Sequence, residues 1–232
     1  ITATDYANNV NNSQNVSINI DRNAPTISIK SPIANQFIKG PVNISAEVND
    51  TVWVWYVQYR IGNGSFAADV IDDAYLAMTN NSGSSATHSG YYNATNATSS
   101  IYDGVYNITV WANDTQNNIA QVNVTVTIDN NAPGASGGAL GNTSEPASGT
   151  QYFPGRFYRF NKTFNDTIGV TNVILQINAT NFTAFLYEGS ATRGNWSTNI
   201  TDFAANASGY PLIWYANDSA GNWLTTAVWY YV

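Results

Sequence analysis

Residues 106–133, YNITVWANDTQNNIAQVNVTVTIDNNAP, hold the pattern that decides the fold. Tyr106, Ile108, Val110 and Ala112 share one face of an extended chain, and Asn107, Thr109 and Trp111 share the other. A polar stretch, residues 113–118, intervenes. Val122, Val124, Val126 and Ile128 then alternate with Asn123, Thr125 and Thr127. Successive strand side chains point to opposite sides, so this pattern predicts a β-hairpin with one buried face. The Asn131-Ala132-Pro133 step closes it, because proline offers no N–H to a ladder and stiffens the exit.

The hairpin recurs. Ile1-Thr2-Ala3-Thr4-Asp5 matches Val110-Trp111-Ala112-Asn113-Asp114, and Val16, Ile18 and Ile20 match the closing strand. Asp21-Arg22-Asn23-Ala24-Pro25 then matches Asp129-Asn130-Asn131-Ala132-Pro133. Near the other end, Tyr210, Leu212, Trp214 and Ala216 lead into Asn217-Asp218-Ser219-Ala220-Gly221-Asn222. Tyr106 and Tyr210 precede Asn113 and Asn217 by the same interval. A front pair of strands repeats too. Val42, Ile44, Ala46 and Val48 end in a turn at Asn49-Asp50-Thr51, followed by Val57, Tyr59 and Ile61. Asn165-Asp166-Thr167 is followed at the same spacing by Val173, Leu175 and Ile177. Trp53 and Trp55 share the face of Val57, which predicts packing in the core or at the sheet end.

Internal repetition sets the domain reading. Residues 1–21 are the closing hairpin of a preceding unit or a donor strand. Residues 24–129 and 132–232 are two complete units. Each has six to eight short strand candidates separated by Gly, Asn, Pro and Ser, so the expected fold is all-β, a tandem of β-sandwiches. About 100 residues suffice to bury a core in such a unit. Residues 69–104 form a long polar excursion, with a short helix expected over residues 72–79. Because the chain starts within a repeat, it is expected to be a processed product or a window of something longer.

Composition excludes several classes. The net charge is −7, with no basic patch for nucleic acid. No apolar run approaches the length of a membrane span. Cysteine is absent, so the sheets must be held by packing and ladder bonds. Charged residues are only 10% of the chain, so Asn, Ser and Thr must supply the polar surface.

That surface has a pattern. Twenty of the 33 asparagines begin an N-x-[ST] triplet, and with 43 Ser and Thr chance gives about six. The sequence therefore predicts N-glycans, with acceptors at Asn11, Asn15, Asn43, Asn49, Asn63, Asn80, Asn93, Asn96, Asn107, Asn113, Asn123, Asn142, Asn161, Asn165, Asn178, Asn181, Asn195, Asn199, Asn206 and Asn217. The competing reading is an Asn/Thr-rich surface without glycans.

The order V-x-I-x-A-x-V-N-D-T at 42–51, G-V-Y-N-I-T-V-W-A-N-D at 104–114 and V-T-I-D-N-N-A-P at 126–133 resembles the tandem immunoglobulin-like repeats of prokaryotic cell-surface proteins. Archaeal S-layer proteins, surface filaments and adhesins are the nearest in character. The resemblance covers nearly the whole chain and implies an immunoglobulin-like fold at the cell surface. Asp103-Gly104-Val105-Tyr106 also resembles the tyrosine corner of such sandwiches, which implies a hydrogen bond from the Tyr106 hydroxyl to nearby backbone.

Catalytic material is sparse. His88 is the single histidine, and neither Glu47, Glu145 and Glu188 nor Asp69, Asp72 and Asp73 form a pair suited to acid–base work, so no enzyme is expected. Calcium fits the residues better, since it takes hard oxygen ligands from turns. The segments at 21–25 and 129–133 resemble the cadherin inter-repeat linker, which implies candidate ligands Asp5, Asp21, Asn23, Asp50, Asp114, Asp129, Asn131 and Asp166. In that reading Asp5 and Asp114 converge with the linker that follows their own hairpin and with the next unit's turn. The alternative is that these side chains serve only their turns.

The function expected is a structural, self-associating subunit of an extracellular surface assembly, a lattice or filament, joined by strand addition through Val16, Ile18 and Ile20. The alternative is an adhesin stalk or a ligand- or carbohydrate-binding module that uses the 69–104 excursion. Trp111 and Tyr215, at matched outward positions, would be contacts for a subunit or a sugar.

Overall fold

The computed structural model describes residues 2–11, 18, 20–62, 75–82, 87–136, 155, 158–201 and 210–231. The strands, in chain order, are β1 (Ala3–Thr4), β2 (Val10–Asn11), β3 (Thr26–Ser31), β4 (Phe37–Ile38), β5 (Pro41–Gly62), β6 (Leu76–Ala77), β7 (Thr79–Asn80), β8 (Thr87–Ala97), β9 (Gly104–Asp114) and β10 (Ile119–Ile128). They continue with β11 (Gly134–Ser136), β12 (Tyr158–Asn165), β13 (Val170–Ile177), β14 (Thr180–Gly189), β15 (Arg193–Ile200), β16 (Tyr210–Asp218), β17 (Trp223–Thr225) and β18 (Trp229–Tyr231). A 3-10 turn at Thr98–Ser100 is the single helical element among the described residues.

Strands β3–β10 and β11–β18 pair within their own groups. In the first group, β3 and β8 flank the front half of β5, and β7 extends that sheet. The rear half of β5 pairs with β9, which pairs with β10, which carries β4 in parallel at its edge. The two layers enclose Ile44, Val48, Val54, Val57, Ile61, Ile108, Val110 and Ile128, all nearly inaccessible. In the second group, β11, β12 and β15 form one layer and β13, β16 and β17 the other. Strand β14 lends its first half to β13 and its second half to β15. Phe160, Phe164, Val173, Leu175, Leu212 and Trp214 fill that core. Side chains at alternate positions of Tyr106–Ala112 are buried, as period two requires.

Three expectations change. The turn expected at Asn49-Asp50-Thr51 is a bend within one continuous 22-residue strand, β5, which passes from one sheet to the other. A register shift between Val54 and Tyr56 follows the bend. It turns Val54 inward at 0% exposure and leaves Trp53 and Trp55 at 40% and 61%, so these tryptophans are not core residues. One irregular step in a strand exchanges its faces, and that reverses any alternation counted through it. Third, Leu76–Ala77 and Thr79–Asn80 are strand where the helix was expected; residues 72–74 lie outside the described residues. His88 lies within β8, whereas Glu145, Asp69, Asp72 and Asp73 lie outside the described residues.

The tyrosine corner forms: the Tyr106 hydroxyl donates to the Tyr102 carbonyl at 2.8 Å. Asp103 takes no part in that bond. Its carboxylate instead accepts from the Asn130 backbone N–H at 2.8 Å and the Asn131 side chain at 2.6 Å.

Candidate functional site: two carboxylate clusters at the linkers

The hairpin turn is built three times from the same side chains. Asp5, Asp114 and Asp218 each accept the backbone N–H of the residue four ahead, at 2.9, 2.8 and 2.9 Å. Each also accepts that residue's side-chain amide: Asn9 at 2.8 Å, Asn118 at 2.7 Å and Asn222 at 2.8 Å. The residue before the asparagine has a left-handed backbone in every copy, with φ of 63° at Asn8, 67° at Asn117 and 80° at Gly221. Asparagine and glycine tolerate that region better than other residues, which explains the choice at this one position.

The asparagine amide also holds the preceding linker. Asn118 donates to the Asp21 carbonyl at 3.3 Å, and Asn222 donates to the Asp129 carbonyl at 3.0 Å. This places Asp21 against the turn at Asp114, and Asp129 against the turn at Asp218. The bend in the front strands adds a third aspartate. Asp50 accepts Val52 N–H at 2.8 Å and Trp53 N–H at 3.1 Å, and Asp166 accepts Ile168 N–H at 2.9 Å and Gly169 N–H at 2.7 Å. Two clusters result, Asp21–Asp50–Asp114 and Asp129–Asp166–Asp218, each with one carboxylate oxygen per residue within 4.8 Å of the others. In the first, Asp114 is buried and Asp21 and Asp50 are half-buried; in the second all three are buried. The Asp129 carboxyl is pushed up to about 7, first by burial and then by the charges of Asp166 and Asp218.

Of the residues expected at the junctions, Asp21 and Asp50 meet, as do Asp129 and Asp166. Asp114 does not join Asp129. It lies in the cluster of the linker that enters its own domain, because a strand separates it from the linker that leaves. Ten residues of β10 lie between that turn and Asp129, a run of about 33 Å. Asp218 holds the corresponding place in the second cluster and is not among the ligands expected from the sequence. Its signal was present, since Asp218 aligns with Asp114 in the repeat. Asn131 also leaves the set, because its amide turns to Asp103. Asn23 is exposed, and its backbone N–H donates to Asp21 at 3.0 Å. Asp5 is exposed and bonded within its turn to Ala7 and Asn9, and those bonds hold its carboxyl below the usual carboxylate range, the Asn9 side chain first.

The linker between the two sandwiches is fixed at both ends. Asn130 accepts Gly40 N–H at 2.9 Å and donates to the Thr98 carbonyl at 2.8 Å, both in the first sandwich. Lys39 of that sandwich donates its ammonium to the Gly221 carbonyl in the hairpin turn of the second. Lys39, Tyr102, Asn130 and Asn222 line the cleft between them.

The acceptor asparagines divide by exposure. Asn11, Asn43, Asn123, Asn165, Asn178, Asn181 and Asn199 are exposed. Asn49, Asn80, Asn93, Asn96, Asn107, Asn161, Asn195 and Asn217 are half-buried. Asn113 is only 1% exposed and its amide is bonded to Asn117 at 3.0 Å, so the folded chain cannot present it to a transferase. Asn15, Asn63, Asn142 and Asn206 lie outside the described residues. So does Val16, whereas Ile18 and Ile20 are 75% and 74% exposed and belong to no strand.

Aromatic side chains gather on the outer face of the β5–β9 layer. Tyr56 and Trp111 have ring centroids 5.0 Å apart, Trp55 meets Tyr56 at 5.0 Å, and Tyr75 meets Trp111 at 6.1 Å. The Arg60 guanidinium lies 5.4 Å from the Tyr75 ring centroid. Trp111 and Tyr215 are both half-buried. Glu47 pairs with Lys30 at 3.0 Å, which holds its carboxyl below the usual range.

Residues 25–110 match the family model of a bacterial immunoglobulin domain. No curated protein matches the chain. Among solved structures, the chain is similar to fibronectin(III)-like modules of Clostridium thermocellum CbhA, with 14% identity over 87% of this chain and 90% of that one and a TM-score of 0.45. It is also similar to titin immunoglobulin tandem domains, with 10% identity over 88% and 94% of the two chains and a TM-score of 0.28. A tetra-tandem repeat from the extending region of a large adhesion protein shares 19% identity over 90% of this chain and 49% of its own, with a TM-score of 0.34. The fold class is all-β, a tandem of immunoglobulin-like sandwiches.

Proposed function

We propose that the chain is a structural, non-catalytic repeat of a prokaryotic extracellular surface assembly, an S-layer or filament subunit of archaeal type. The linker carries this reading. Asp129, Asn130 and Asn131 are bonded to both sandwiches, so two domains act as one spacer of defined length rather than as beads on a flexible string. A lattice or fibre needs such spacing. The seven exposed acceptor triplets support N-glycans as the source of solubility on a surface with few charges. Exposed Ile18 and Ile20 support joining to a second copy by strand addition. Among the described residues no helix is long and apolar enough to cross a membrane.

The test is electron microscopy of native material together with sedimentation of purified protein. A lattice or fibre is expected; protein that remains monomeric at high concentration defeats the assembly reading. Intact mass of the native chain tests the glycans, and a mass equal to the bare polypeptide removes them.

The aromatic group at Trp55, Tyr56, Tyr75 and Trp111 favours a second reading, an adhesin module that holds a sugar or partner on that face. It requires polysaccharide binding that Trp111→Ala abolishes.

A further inference from the structure

Turn formation engages both carboxylate oxygens of Asp114 and Asp218 but only one of Asp21, Asp50 and Asp129. One oxygen of Asp21, Asp50 and Asp129 accepts backbone N–H groups of its own loop. The other, Oδ2, is buried in all three with no hydrogen-bond partner. Asp129 is 0% exposed, and its unpartnered oxygen belongs to a cluster of three carboxylates. Buried acceptors without a donor are costly, and like charges at this range add to the cost. Water could serve an open turn, but a wholly buried aspartate between two others calls for a positive partner. No Lys or Arg is recorded as an ion-pair partner of either cluster among the described residues. The arrangement is also repeated. A linker aspartate, a front-bend aspartate and a hairpin-turn aspartate supply each cluster, although the loops between them differ in length. Asn113 and Asn217, each directly before the hairpin-turn aspartate, both leave a buried Oδ1 unpartnered as well. Two sandwiches of different strand continuity thus both leave an oxygen unpartnered at the linker aspartate and at the asparagine before the hairpin turn.

We propose that each cluster is a divalent-cation site, ligated by Asp21, Asp50 and Asp114 in the first and by Asp129, Asp166 and Asp218 in the second. The donors are all hard oxygens, without nitrogen or sulfur, which selects calcium over zinc or copper. Magnesium requires near-ideal octahedral geometry and gives up water reluctantly, so three carboxylates fixed by their own turns suit calcium better. The bound ion ties the linker aspartate to two loops of the domain that follows and thereby fixes the angle at which that domain is carried. The Asp5–Asn9 turn belongs to no such group of three among the described residues.

The test is calorimetric titration of the full chain with calcium chloride after chelator has been removed. About two ions per chain are expected, with magnesium at least about tenfold weaker. Asp129→Asn is expected to reduce the count to one, Asp50→Asn to remove the other, and the double substitution to abolish binding. Circular dichroism of each variant checks that it is folded, and the count on the unsubstituted chain stands whether or not the variants fold. Absence of binding at millimolar calcium overturns the proposal, as do two ions retained by a folded double variant. Equal affinity for magnesium overturns the assignment to calcium. The outcome is independent of the surface reading: a lattice formed without calcium refutes only the site, and calcium binding by a permanent monomer refutes only the assembly.

Discussion

The two linkers are alike at four of five positions and lie in different surroundings. Asp21-Arg22-Asn23-Ala24-Pro25 and Asp129-Asn130-Asn131-Ala132-Pro133 both bury their proline, expose their alanine and give their aspartate carbonyl to a hairpin asparagine. They differ in the second residue. Asn130 is half-buried and bonded to Gly40 and Thr98 of the sandwich behind it, whereas Arg22 is exposed. They differ also in the aspartate, which is half-buried at 21 and inaccessible at 129. The second linker is therefore the more closely held of the two.

The comparison breaks most visibly at its second residue. Asn130→Ala leaves the Gly40 N–H and the Thr98 carbonyl without their partner and should cost about 2–4 kcal/mol in denaturant unfolding. Arg22→Ala should stay within about 0.5 kcal/mol. Equal losses would mean that the linkers are equivalent after all. A smaller effect of unusual sign is expected at the first residue. In chelator, Asp129→Asn removes a buried charge that faces two others and should raise the melting temperature by the equivalent of about 1–2 kcal/mol; in millimolar calcium it should lower it. Asp21→Asn should move in the same directions by less, because Asp21 is half-buried whereas Asp129 is inaccessible. A melting temperature of Asp129→Asn that is indifferent to calcium would show that the buried charge has no cation to lose. The smallest difference should lie in the turns. Asn118→Ala and Asn222→Ala each remove two side-chain bonds of the same kind, so both should cost about 1–2 kcal/mol. A gap of more than about 1 kcal/mol between them would show that the more closely held linker strengthens its own turn.

Repetition made much of this legible. The alternation at Tyr106–Ala112 and Val173–Ile177 gave both the strand class and the inward face, because burial on one side enforces period two. Matching one repeat against another brought Asp21, Asp50, Asp129 and Asp166 forward as residues of common purpose. What failed was connectivity in space. Order in the sequence assigns Asp114 to the linker after it, but a full strand carries that linker to the opposite end. Nothing local to residues 106–133 states that a hairpin's turn and its exit lie at different ends; it follows only once the pairing is followed along its length. Trp53 and Trp55 failed for another reason. The shift at Val54–Tyr56 inverts the faces, and no residue type in 49–56 marks where an irregular step will fall. Burial of Asn113 was likewise hidden, because an N-x-[ST] triplet carries no information on accessibility.

The distance between a hairpin's turn and its exit has a mechanical side. The chain enters the first sandwich beside Asp114, at Pro25, and leaves it at Asp129 after running the whole of β10. Tension applied along the tandem therefore acts parallel to β10, which is bonded to β9 over ten successive residue pairs and to β4 at its end. Such a load is shared by the ladder at once instead of opening it bond by bond from one end. An array drawn taut would resist extension with a whole strand at a time, and its lifetime under load would be set by the barrier to sliding that strand and not by the equilibrium stability of the domain.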